Sequence, residues 1–115
     1  MLDWLQYRKE LLGRIGEIGK LSPDTLAGYQ TLSKAGEKTG HLDAKTRELI
    51  ALAIAVTREC DGCIAAHARG AALRKASDAE VAEAIGVAVL MNGGPATVWG
   101  PRALAAFREF AADAG

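Results

Sequence analysis

The sequence predicts an all-α fold of about six helices, and three observations carry that prediction. No stretch of useful length alternates apolar and polar residues with period two, and Val, Ile, Thr and Tyr never cluster between turn residues as strands require. Helix-start signals recur along the chain at Asp3, at Ser22-Pro23, at Asp43, and at Ser77 followed three residues later by Glu80. Alanine is the commonest residue while aromatics make up only 5%, a composition of high helix propensity whose thin helices approach closely and bury little area each.

The elements follow in order. A first helix is predicted from about Trp4 to Ile18, with Asp3 as N-cap, Gln6 placed to close a capping box, and Gly19 or Leu21 as its end. Ser22-Pro23 restarts the chain, because serine accepts free first-turn N–H groups and proline gives up an N–H that has no partner there. That second helix is expected to reach about Glu37, with Gly40 as stop. Asp43 caps a third helix through Leu49, Leu52 and Val56, whose far half is apolar all round and therefore central. After a pause near Glu59 to Gly62, a fourth helix carries Cys63, His67 and Leu73 to about Lys75. Ser77 and Glu80 form a capping box for a fifth helix through Val81, Ile85, Val89 and Met91, which Asn92-Gly93-Gly94-Pro95 breaks. The last helix spans about Ala96 to Ala112 with an interruption expected at Trp99-Gly100-Pro101, where proline removes a ladder bond.

Length and charge narrow the function classes. The 115 residues carry no linker, low-complexity tract or repeat, so a single domain over residues 1–115 is expected. Lys+Arg 14 balances Asp+Glu 14, which removes the electrostatic footprint that nucleic acids or anionic membranes require. The longest apolar stretches, Leu49 to Val56 and Ala84 to Met91, fall far short of the ~20 residues of a membrane span. The first ten residues mix acid and base where a signal peptide would place basic residues and then an apolar run, so a cytoplasmic location is expected. A monomer of this size buries only about 65% of its unfolded surface, and a core poor in large side chains hints that subunits share one.

Two cysteines in a reducing compartment are poor candidates for a structural staple, so their spacing carries the information. In Cys60-Asp61-Gly62-Cys63-Ile64-Ala65-Ala66-His67, two thiols lie three residues apart and an imidazole lies four beyond the second. On a helix this spacing puts all three on one face, with His67 about one turn from Cys63. The first turn supplies unpaired N–H groups and the positive end of the helix dipole, both of which favour thiolate over thiol. A sulfenic acid formed on one cysteine condenses with a neighbouring thiol, so the spacing supports a redox cycle. Glu48 lies where the third helix turns apolar, on the stripe of Leu52 and Ala55, and a histidine on the adjacent helix is a natural partner for a carboxylate there. Glu59, next to Cys60, is the other candidate acid. His41 precedes the Asp43 cap as a loop residue and is assigned no role.

Plainer readings stand beside this one. The cysteines can be inert core residues, and Glu48 a solvated member of an amphipathic half-helix paired with Lys45 or Arg47. Cys60, Cys63 and His67 also make three zinc ligands, for which Glu48 is the available fourth.

The pattern Glu48, eleven residues, Cys60, two residues, Cys63, three residues, His67 resembles the active-site motif of the AhpD-like alkylhydroperoxidase branch of the carboxymuconolactone decarboxylase family. The flanks agree: Leu42 to Ala53 is similar to the family's entry into its central helix, and Asn92-Gly93-Gly94-Pro95-Ala96 resembles the break after its next long helix. The similarity runs from about Leu26 to Phe110. It implies an AhpD-like helical bundle that is an obligate homo-oligomer, a trimer or hexamer, needing no metal or organic cofactor. It further implies that Glu48 and His67 relay a proton from Cys63, that Cys60 is the disulfide partner, and that a hydroperoxide is the substrate. An external dithiol, a lipoyl group or a thioredoxin-like protein, would be the reductant. The family's peroxidase members place a histidine immediately before the second cysteine, where this chain has Gly62, so that part of the relay is not carried over. The alternatives are a thiol-disulfide oxidoreductase or redox adapter without fast peroxide chemistry, a decarboxylase-type lyase, and a non-enzymatic oligomeric or zinc-holding module.

Overall fold

The computed structural model describes residues 1–114 and is all-helical, with no strand among them. Seven helices follow in order: α1 (Trp4–Leu21), α2 (Pro23–Ser33), α3 (Ala35–Thr39), α4 (Ala44–Thr57), α5 (Asp61–Leu73), α6 (Asp78–Asn92) and α7 (Gly94–Ala114). No helix among the described residues is long and apolar enough to cross a membrane.

The helix starts sit where capping chemistry places them, with two exceptions. Asp3 accepts the Gln6 N–H at 3.1 Å and Asp43 accepts the Thr46 N–H at 2.8 Å. The Ser77–Glu80 capping box is complete in both directions. The box expected at Asp3 is only half made, because the Gln6 amide donates to Glu10 further along the helix. Ser22 does not cap with its side chain either. Its hydroxyl bonds Thr25 Oγ1 at 2.7 Å, and its backbone N–H closes α1 on the Ile18 carbonyl, so one residue ends α1 and begins α2.

Two boundaries depart from the local signals, each for a tertiary reason. The helix expected from Pro23 to about Glu37 divides at Lys34 into α2 and the five-residue α3. Arg47 reaches across from α4 and donates to the carbonyls of Gly36 and Leu42, and a β-carbon at Gly36 would collide with the Arg47 side chain. Gly40, left-handed at φ 68°, then stops α3 as expected. At the other end, α7 runs through Pro101 without interruption. Gly100, buried against Ile85 of α6, holds the two helices in close contact there, and packing of that kind outweighs one missing ladder bond.

The core lies where α4, α5, α6 and α7 meet, with α1 across α5 and α7. Leu52, Val56, Ile64 and Val81 are fully buried, and burial of each such side chain contributes about 1.5–3 kcal/mol. Alanine supplies more than half of the buried apolar residues among those described, which is how the helices approach closely. The α4 helix is central, as its composition predicts, but one side of it is not covered. Ile50 and Ile54 are 46% and 52% exposed, and Leu90 and Met91 on α6 more so.

Glu80 joins two layers of this architecture. Besides capping α6, its carboxylate pairs with Lys45 of α4 at 2.8 Å. The Lys45 hydrogen bond first, and then the Ser77 backbone N–H, hold the Glu80 carboxyl below its usual range. A carboxyl with a depressed folded-state pKa adds stability above its unfolded value and loses it as pH falls through the folded value. Thermal unfolding followed between about pH 3 and 7 is therefore expected to show a stability loss on acidification that is shallower in Glu80→Gln. An identical pH slope in the two proteins would show that the carboxylate contributes nothing.

Candidate active site

The site is assembled at the start of α5 and along the face that α5 shares with α4. Cys60 is the N-cap of α5 and not a residue within it. Its backbone is extended and its Sγ accepts the Cys63 N–H at 3.2 Å. The chain reaches this position through Glu59, which adopts the left-handed φ of 53° after α4 ends. Cys63 lies in the first turn of α5, packed against the apolar core, and is disulfide-bonded to Cys60 across a Cα–Cα distance of 5.3 Å. The Cys60 sulfur thus occupies the place where a helix offers its free N–H groups and the positive end of its dipole.

His67 follows Cys63 by one helical turn, and its Nδ1 lies 2.8 Å from Glu48 Oε2. The two side chains are about one third and one quarter exposed. An ionised carboxylate only accepts hydrogen bonds, so Nδ1 carries a proton and Nε2 is the nitrogen left to exchange one. Glu48 can do this because α4 is buried along Leu52 and Ala55, one and two turns further on, which turns the carboxylate toward α5. The structure therefore joins Glu48 to His67 and Cys60 to Cys63, with His67 one helical turn after Cys63, and of the two candidate acids it is Glu48 that meets the histidine. Glu59 is exposed and makes no hydrogen bond to the histidine, and His41 sits exposed in the bend before α4.

Three neighbours of the site have surroundings that the local sequence does not announce. Asp61, between the cysteines, is held by Arg102 of α7 through two hydrogen bonds of 2.8 and 2.9 Å. The Arg102 guanidinium in turn lies 5.5 Å from the Trp4 ring and 5.0 Å from the Trp99 ring. The hydrogen bond to Asp61 raises the Arg102 pKa above its ordinary value, and the guanidinium places a compensating positive charge against the acid that follows Cys60. At Gly62 a β-carbon would lie 3.0 Å from Leu11 and 3.9 Å from the Tyr7 hydroxyl, so α1 packs closely over this position and the Leu11 side chain would have to give way to a larger residue. The third neighbour, Gly70, faces the Glu48 carboxylate. Beside the Glu48–His67 pair is a cavity of about 170 Å³ that Arg47 and Arg74 also line and neither cysteine does. Among the described residues no three His, Cys, Asp or Glu side chains converge as a metal-ligand group.

The family model for the carboxymuconolactone decarboxylase family matches residues 23–111, which include Glu48, both cysteines and His67. The chain belongs to the carboxymuconolactone decarboxylase family. The apo crystal structure of a carboxymuconolactone decarboxylase family protein from Legionella pneumophila superimposes with a TM-score of 0.89 at 37% identity, covering 94% of this chain and 96% of that one. An uncharacterized protein of Cupriavidus necator is 34% identical over 85% of this chain and 87% of its own length. A Haemophilus influenzae protein, also uncharacterized, is 49% identical over 60% of this chain, and the match spans 61% of that relative. The helical fold expected from the motif is thus the fold of a carboxymuconolactone decarboxylase family protein, and the AhpD-like branch fits the family.

Proposed function

We propose that the chain is a thiol-dependent peroxidase that reduces hydroperoxides through Cys63 and Cys60, with an antioxidant role. The observation that carries this reading is the Glu48–His67 hydrogen bond placed one turn beyond a bonded Cys60–Cys63 pair. Glu48 holds Nδ1 of His67, and Nε2 accepts the Cys63 proton. The Cys63 thiolate attacks the terminal oxygen of the hydroperoxide, the O–O bond breaks, and the departing alkoxide takes the proton from His67 and leaves as an alcohol. Cys63 is then a sulfenic acid. The Cys60 sulfur, favoured as a thiolate by its N-cap position, attacks Cys63, the S–O bond breaks, and the departing hydroxide takes up the proton that Cys60 released and leaves as water while the disulfide closes. An external dithiol, a lipoyl group or a thioredoxin-like protein, attacks at Cys60, becomes a disulfide itself and returns both cysteines to thiols.

In this reading the protein works in the cytoplasm as a homo-trimer or homo-hexamer. Exposed Ile50, Ile54, Leu90 and Met91, together with an alanine-rich core, favour subunit packing. A second reading, a thiol-disulfide oxidoreductase without fast peroxide chemistry, is favoured by one observation: Gly62, where peroxidase relatives bear a histidine, is overlaid by Leu11 and Tyr7.

Turnover separates the two. The protein with excess organic hydroperoxide and dihydrolipoamide or reduced thioredoxin is expected to consume many equivalents of peroxide. Consumption no faster than with the dithiol alone, combined with rapid exchange between the protein disulfide and that dithiol, establishes the second reading. A cysteine-free variant that retained a decarboxylase-type activity would point to a lyase instead.

A further inference from the structure

We propose that Gly70 is a positioning residue of the site: the missing β-carbon at this place makes the room in which the Glu48 carboxylate reaches Nδ1 of His67. It rests on the reading of Glu48 and His67 as the pair that activates Cys63. Gly70 lies in the last turn of α5, three residues after His67 and with helical backbone, where glycine is a poorer helix former than alanine. Gly13, Gly16, Gly28 and Gly86, also helical, would meet nothing within 4 Å if they gained a β-carbon, and Gly19, Gly36, Gly62 and Gly100 would meet the side chains of Leu26, Arg47, Leu11 and Ile85; among the described residues Gly70 is the glycine that would meet a carboxylate. The three atoms that would stand nearest to a β-carbon at Gly70, each within 3.0 Å, all belong to the Glu48 carboxyl group. Steric overlap therefore falls on the free end of a flexible side chain. The fold can accept a methyl group at this position, and the carboxylate has to move to admit it. Restoring ordinary contact with a methyl group requires the carboxylate to move by roughly an ångström, and a movement of that size away from His67 takes the 2.8 Å bond beyond hydrogen-bond range and toward the neighbouring cavity that Arg47 and Arg74 line.

This assignment separates function from stability. Alanine improves helix propensity, so Gly70→Ala is expected to unfold at the same temperature as the wild type or higher, while the thiols lose reactivity. Alkylation of the reduced protein by iodoacetamide reads that reactivity without any peroxide, so the outcome does not depend on the peroxidase reading. At pH 7 the rate is expected to fall about tenfold in Gly70→Ala and by a similar factor in Glu48→Ala, with both deficits narrowing at higher pH, where hydroxide removes the proton instead. In the double variant, Gly70→Ala is expected to add no further loss of rate and to raise the unfolding midpoint above that of Glu48→Ala alone, because the methyl group then enters vacated space. Wild-type alkylation in Gly70→Ala, a further loss in the Glu48→Ala background, or a double variant less stable than Glu48→Ala would each overturn the assignment. If Gly70→Ala alone fails to fold, the midpoint comparison of the double variant with Glu48→Ala still decides.

Discussion

Cys63→Ser is expected to lower peroxide consumption by at least about a thousandfold, to the level of background thiol chemistry, because in the proposed mechanism it removes the atom that takes the oxygen. The disulfide in the structure makes the companion result specific. Cys60→Ser is expected to react once and stop, leaving a sulfenic acid on Cys63 that dimedone traps and mass spectrometry locates. Position explains the difference. Cys63 lies inside the first turn and one turn before His67, whereas the Cys60 sulfur sits at the helix entrance on the Cys63 N–H. Trapping of sulfenic acid on Cys60 in Cys63→Ser, with none on Cys63 in Cys60→Ser, reverses the two roles.

His67→Asn is expected to cost about a hundredfold or more at neutral pH, within the range of a lost general base, and Glu48→Ala about ten- to a hundredfold. In the proposed mechanism Glu48 acts only through the imidazole it holds at 2.8 Å, so the double variant is expected to be no slower than His67→Asn alone. Stopped-flow rates at several pH values check this, because the deficit in both variants is expected to shrink as pH rises. Additive losses would mean that Glu48 has a task independent of His67, and a pH-independent deficit would mean a structural role for the pair.

Local chemistry made much of this molecule legible. Asp3, Asp43 and the Ser77–Glu80 box announce three helix starts by side-chain acceptors within three residues of the donors they satisfy. The i, i+4 spacing of Cys63 and His67, and the placement of Glu48 on the stripe of Leu52 and Ala55, likewise turn on helical period alone. Features that depend on partners far along the chain were not legible. The division at Lys34 follows from Arg47, eleven residues beyond Gly36, and the uninterrupted passage through Pro101 from packing of Gly100 on Ile85. Asp61 and Arg102 are 41 residues apart, and nothing in the spacing of either announces the pair. Gly70 belongs with them, since its meaning lies in a carboxylate on another helix.

Mixing the fully reduced protein with an organic hydroperoxide in a stopped-flow instrument tests the central claim most directly. Disulfide formation is expected to follow a single bimolecular phase, linear in peroxide, with a rate constant at pH 7 orders of magnitude above that of free cysteine. A rate constant no greater than that of free cysteine would contradict the peroxidase assignment.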